Sequence, residues 1–288
     1  MIYLLLAILS SASIALVLKY FKEQEGNRYG IIIGNYLTCI IISLIMVRSL
    51  NKIAGAAPQT FACGAVGGIL FVLGLVFLQS SVKVNGATLT SAFSKLGVMV
   101  PLAFSFLLFK EQPGILQVVG IVIALLALIL INSPAKNDVQ AKSKDKTTYS
   151  FALLILTFLG NGLADSMAKV FEQVGPRNDD RVYIFFVFLT AAVISVALAF
   201  MEYRKTGKRL LLKELLAGIA VGVPNYFCSF FLLGSLERLP SFLVYPIFST
   251  GTILTVMLIS NALFKERLSK KQLAAIGLIL LALVMLNI

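Results

Sequence analysis

One apolar motif occurs twice in this chain, and that repetition limits its architecture more than any other property. Phe109 to Asn132 reads FKEQPGILQVVGIVIALLALILIN, and Phe264 to Asn287 reads FKERLSKKQLAAIGLILLALVMLN. At one constant offset Phe109, Lys110 and Glu111 fall on Phe264, Lys265 and Glu266, Gln117 on Gln272, Ala127 on Ala282 and Asn132 on Asn287. Unrelated apolar segments share leucines by composition, but not a charged pair and a glutamine in register. The same offset brings Phe93-Ser94 onto Phe248-Ser249, Ser105 onto Ser260, Gly67 onto Gly222, and Ser80 with Lys83 onto Ser235 with Arg238. The chain is a doubled unit.

Hydrophobic residues make up 59% of the sequence and charged residues 13%, with a mean hydropathy of +0.94. A soluble domain carries roughly a quarter charged residues. The apolar residues fall in blocks of about twenty, the length that crosses a bilayer core as a helix. An all-α integral membrane protein follows, because in hydrocarbon only a helix or a closed barrel satisfies its own backbone hydrogen bonds. Ten spans are expected, at 2–20, 30–50, 60–81, 87–109, 113–132, 150–172, 181–203, 210–235, 240–264 and 270–288. Five spans per half is an odd number, so the second copy enters from the opposite side. The expected architecture is therefore ten transmembrane helices as two inverted five-helix repeats, 1–132 and 150–288, joined by the polar, lysine-rich linker 133–149.

The net charge of +12 points to the membrane rather than to nucleic acid, since the basic residues lie in short connections between apolar blocks. Connections after odd-numbered spans hold sixteen Lys and Arg against six on the other side. The positive-inside rule then places odd connections in the cytoplasm and both termini outside a plasma (inner) membrane. Ile2 to Tyr20 lacks a basic leader and a cleavage pattern and is read as a retained span. Cys39, Cys63 and Cys228 sit inside apolar blocks without metal-site spacing, and there is no histidine, so neither a metal nor another cofactor is expected. P-loop, HExxH and histidine-triad patterns are missing, which argues against an enzyme and for transport driven by a gradient.

The phenylalanine and Lys-Glu pair that open the last apolar segment of each half, with the glutamine six residues after the glutamate, resemble the EamA-type unit of the drug/metabolite transporter superfamily. The resemblance covers essentially the whole chain. It implies a transporter of small organic solutes, with export of amino acids or their analogues as the leading class. A translocase of a lipid-linked carrier and a sugar-phosphate-type antiporter are the alternatives it leaves open.

Lys95 and Asp165 fall near the middle of spans four and six. A charge at mid-bilayer costs about 2.5–3.5 kcal/mol on insertion scales, so such groups face a cavity or a partner. Thr88, Ser91 and Lys95 share one helical stripe, and Asn161 and Asp165 stand four apart, so both faces can line one polar centre. Lys95 suits a carboxylate or phosphate, Asp165 an amino group or a coupling proton; the competing assignment is an ion pair that locks the repeats together. Asn35 and Tyr36, Asn225 and Tyr226, and Tyr245 and Ser249 are further substrate-binding candidates, each weighed against ordinary interhelical hydrogen bonding. Gly64 with Gly68 and Gly218 with Gly222 read as close helix contacts, and Pro101, Pro224 and Pro246 as kinks or hinges. Lys19 and Lys169 read as snorkelling to the interface, and Lys110-Glu111 with Lys265-Glu266 as headgroup anchors of a turn. The expected partners are a small-molecule solute, membrane lipid, and a proton or counter-solute for coupling, with the chain acting as a monomer or weak dimer.

Overall fold

The computed structural model describes residues 1–20, 29–85, 87–132, 145–176, 178–264 and 270–286. Among these residues every regular element is helical. In chain order they are α1 (Ile2–Tyr20), α2 (Gly30–Val47), α3 (Leu50–Ala54), α4 (Pro58–Asn85), α5 (Ala87–Leu96), α6 (Met99–Leu107), α7 (Ile115–Asn132), α8 (Asp145–Val174), α9 (Asp180–Thr206), α10 (Leu212–Leu236), α11 (Ser241–Phe264) and α12 (Lys270–Leu286). Six are long and apolar enough to cross a membrane: Gly30–Val47, Pro58–Asn85, Ser150–Val174, Asp180–Thr206, Leu212–Leu236 and Ser241–Ala262. Shorter apolar helical stretches cover Ile2–Leu18, Phe93–Leu107, Ile115–Leu130 and Leu273–Leu286. Many of their large apolar side chains point outward, among them Ile45, Val193, Leu107 and Ile115. An outward apolar surface on this scale suits hydrocarbon as the surrounding medium.

The second and fourth expected spans take a different form. The second ends at Val47 because Arg48 takes a left-handed conformation, φ 62°, and donates its N–H back to Leu44. The fourth is not one helix. It is interrupted at Gly97 and Val98, where the amides bond three residues back to Ser94 and Lys95 instead of continuing the α-ladder. Pro101 supplies the cause: it has no N–H to give to the Gly97 carbonyl, which instead accepts from Val100 at 2.9 Å. Pro224 and Pro246, by contrast, lie inside uninterrupted α10 and α11.

The chain forms two compact units that each draw on both sequence repeats. The first comprises Met1–Val72 and Met167–Arg238, the second Leu73–Ser166 and Leu239–Ile288.

In the first unit α10 packs on α2 through glycines. A Cβ at Gly218 would stand 2.5 Å from the Ile31 carbonyl oxygen, and one at Gly222 would stand 2.7 Å from that of Asn35. Only hydrogen on both α-carbons permits that approach. Gly64 and Gly68 bring α4 equally close to α9, against Phe186 and the Val187 carbonyl. The start of α4 is held by Asp179, whose Oδ2 accepts from Thr60 Oγ1 at 2.8 Å and from the Ala57 amide at 3.5 Å. Phe171 stacks on Tyr183 with ring centres 4.1 Å apart.

In the second unit α7 lies along α12, with Gly120 against Met285 and Leu286, and Gly74 of α4 meets Gly160 of α8. Glu111 ties one repeat to the other here: its Oε2 accepts from Ser105 Oγ at 2.5 Å, Ser241 Oγ at 2.8 Å and the Phe242 amide at 3.2 Å. The carboxylate caps the N-terminus of α11, where orphan amides and the helix dipole favour negative charge. This replaces the expected headgroup anchor for Glu111. Lys265 and Glu266 lie outside the described residues, as does the linker through Lys144.

Candidate functional site

The candidates of the second unit gather where α5 breaks. Gly97 and Gly162 sit in backbone contact, with a Cβ at Gly162 only 2.5 Å from the Gly97 oxygen. That crossing sets Ser94 and Lys95 beside α8. Asn161 Nδ2 donates to Ser94 Oγ at 3.2 Å and to the Thr157 carbonyl at 2.9 Å. Lys95 is close enough to Asp165 for its charge to act on that carboxylate. Tyr245, buried on α11, donates its hydroxyl to the Asp165 backbone carbonyl at 2.7 Å. The break therefore carries a cation, a carboxylate, an amide and a phenol from three helices. Lys95 and Ser91 are exposed, Ser249 is half-buried, and the Thr88 side chain lies outside the described residues.

The candidates of the first unit form a separate cluster across α2 and α10. Asn225 Nδ2 donates to Asn35 Oδ1 at 3.1 Å, and Cys39 Sγ lies 3.6 Å from the same oxygen and 3.3 Å from the Gly222 carbonyl oxygen. The glycine contacts bring these helices near enough for two short amides to meet. Tyr36 and Tyr226 are buried and both neighbour Phe188, at ring distances of 6.1 and 6.4 Å. The Tyr226 hydroxyl has no hydrogen-bond partner within the described chain. Among the described residues no group of three metal-ligating side chains occurs.

Ser94 and Cys39 were not singled out from the sequence. The repeat places Ser94 in register with Ser249, and Cys39 stands one turn from Asn35, so both signals were present. Lys169 corrects an expectation. It is 4% exposed and donates to Glu172 Oε2 at 2.7 Å, so it pairs inside the protein instead of reaching for the interface. The Lys19 side chain lies outside the described residues. Two concavities of the first unit, about 600 and 400 Å³, share Asp180 and are lined at helix ends by Lys52, Asp179 and Arg181 and by Glu172, Glu237 and Arg238. No candidate binding residue lines them.

A wholly helical set of elements, several long enough to span a bilayer and clothed in outward apolar side chains, defines a multi-pass membrane protein. The chain belongs to the EamA-like transporter family, whose model matches residues 1–133 and 148–288. The family places it among membrane transporters of the drug/metabolite transporter superfamily. An uncharacterized protein of Haemophilus influenzae is 24% identical over 277 residues, covering 93% of this chain and 91% of that one. A crystal structure shares the fold at a TM-score of 0.78 with 14% identity, over 99% of this chain and 94% of the other.

Proposed function

We propose that this transporter moves a small zwitterionic metabolite, an amino acid or an analogue, outward across the plasma membrane at the expense of a gradient. Two inverted five-helix repeats, 1–132 and 150–288, would supply the alternating access. The observation that carries the substrate class is that Lys95 and Asp165 stand within electrostatic reach of each other where the helix is interrupted after α5. A broken membrane helix exposes backbone groups and is tolerated where it lines a cavity, which is why such breaks accompany solute sites. An exposed lysine in mid-span is costly in lipid and stable in a water-filled cavity. In such a cavity Lys95 would meet a carboxylate and Asp165 an ammonium group or a coupling proton. Asn161 and Tyr245 are held by hydrogen bonds that fix the surrounding backbone, so the two ions keep their places when solute leaves. The expected absence of enzymatic chemistry and of a cofactor belongs to the same proposal.

The test is counterflow in proteoliposomes with a panel of zwitterionic amino acids. Hydrogen bonds to charged groups contribute about 1.5–3 kcal/mol, so Lys95→Ala and Asp165→Ala should each lower uptake about 10- to 100-fold. Wild-type rates in both variants would remove these residues from the site.

A further inference from the structure

We propose that the α9–α10 connection is a docking surface for the headgroups of anionic phospholipids in the bilayer leaflet it faces. Between Arg204 and Lys213 five basic residues occur in ten positions: Arg204, Lys205, Lys208, Arg209 and Lys213. Every one of them is exposed. The acid that follows is turned the other way: Glu214 is 3% exposed and its Oε2 accepts the Leu211 amide at 3.3 Å, closing the start of α10. The fold thus withdraws that negative charge from the surface and leaves the cations on it.

The geometry of the turn maintains this display. Gly207 closes α9 in a left-handed conformation, φ 69°, with its amide bonded to Tyr203, and α10 begins at Leu212, so the basic residues are confined to the last turn of α9, a short connection and the first turn of α10. Tyr203, Leu210 and Leu212 are exposed beside them, at 43%, 43% and 71%. Exposed apolar and aromatic side chains next in sequence to exposed cations match the composition of a membrane interface, where acyl chains adjoin phosphates. Electrostatic attraction to anionic lipid multiplies the binding constant about fivefold per basic residue near the surface. Charge complementarity therefore selects phosphatidylglycerol-like lipids over zwitterionic ones.

The test is native mass spectrometry of the full chain after equilibration with equal amounts of phosphatidylglycerol and phosphatidylcholine of matched acyl chains. The wild type should retain phosphatidylglycerol in clear excess, and the excess should shrink when salt rises from about 0.05 to about 0.5 M. R204Q/K205Q/K208Q/R209Q should reduce the ratio of the two lipids at least tenfold. K136Q/K142Q/K144Q/K146Q, which removes as much charge from the linker, should reduce the ratio by a clearly smaller factor than the first variant does. Equal retention of both lipids by the wild type, a salt-independent preference, or an equal loss in the two variants would overturn the proposal. The salt series needs no variant, so a salt-independent preference overturns the proposal even where a variant fails to fold.

Discussion

Replacing Gly218 by alanine tests the contact on which the first unit is built. The added methyl would lie 2.5 Å from the Ile31 oxygen, 2.7 Å from Gly34 Cα and 2.8 Å from the Asn35 nitrogen. Comfortable carbon contacts fall at about 3.5–4.0 Å, so α10 and α2 must part by roughly 1 Å. The three obstacles are backbone atoms, which cannot rotate aside, so the cost belongs in the upper part of the overpacking range, about 2–3 kcal/mol. The Asn225–Asn35 bond, 3.1 Å long and two turns further along α10, would be stretched past bonding distance by the same displacement. Cys39, Cys63 and Cys228 are free and buried, so a thiol-reactive dye reports unfolding in detergent directly. At about 2–4 °C per kcal/mol the midpoint should drop by about 4–12 °C. Gly277→Ala is the matched control: a Cβ there meets nothing within 4 Å, and the change should leave the midpoint unchanged or raise it slightly. If Gly218→Ala melts with the wild type, the backbone contact does not carry the load assigned to it.

Glu111→Ala removes the acceptor shared by Ser105, Ser241 and the Phe242 amide, and should cost about 1–2 kcal/mol and speed hydrogen exchange at the first amides of α11. Unchanged exchange there would refute the capping role. Glu172→Gln removes the carboxylate 2.7 Å from the buried Lys169 ammonium and should cost about 1.5–3 kcal/mol in thermal unfolding, while Lys169→Met combined with Glu172→Leu should recover most of the loss. A double variant no more stable than the single one would count against an internal pair. Asn35→Ala and Asn225→Ala should be non-additive by about 0.5–1.5 kcal/mol in a double-mutant cycle, and strict additivity would show that their hydrogen bond contributes nothing.

The membrane class and the helical content were legible in the sequence, because a bilayer demands long apolar runs and self-satisfied backbones wherever a chain crosses it. The family was legible too, in the Lys-Glu pairs and the register of the two copies. So was the use of Gly218 and Gly222, since small residues four apart on an apolar helix have few other reasons to be there.

The grouping of the helices was not legible. The sequence divides at the linker, whereas the compact units interleave the repeats, because contacts between side chains distant along the chain decide packing. The interruption after α5 follows from Pro101, which is visible in the sequence, but the close seat of Gly97 on Gly162 exists only through the helix crossing. For the same reason composition marked Glu111 and Lys169 as charges near helix ends without revealing their partners. Ser241 lies 130 residues from Glu111, and the burial that makes Lys169 pair inward exists only once α8 is packed. Periodicity and charge are local and survive in a single chain of letters. Close approach and capping across the chain are relations between surfaces, and they exist only in the folded molecule.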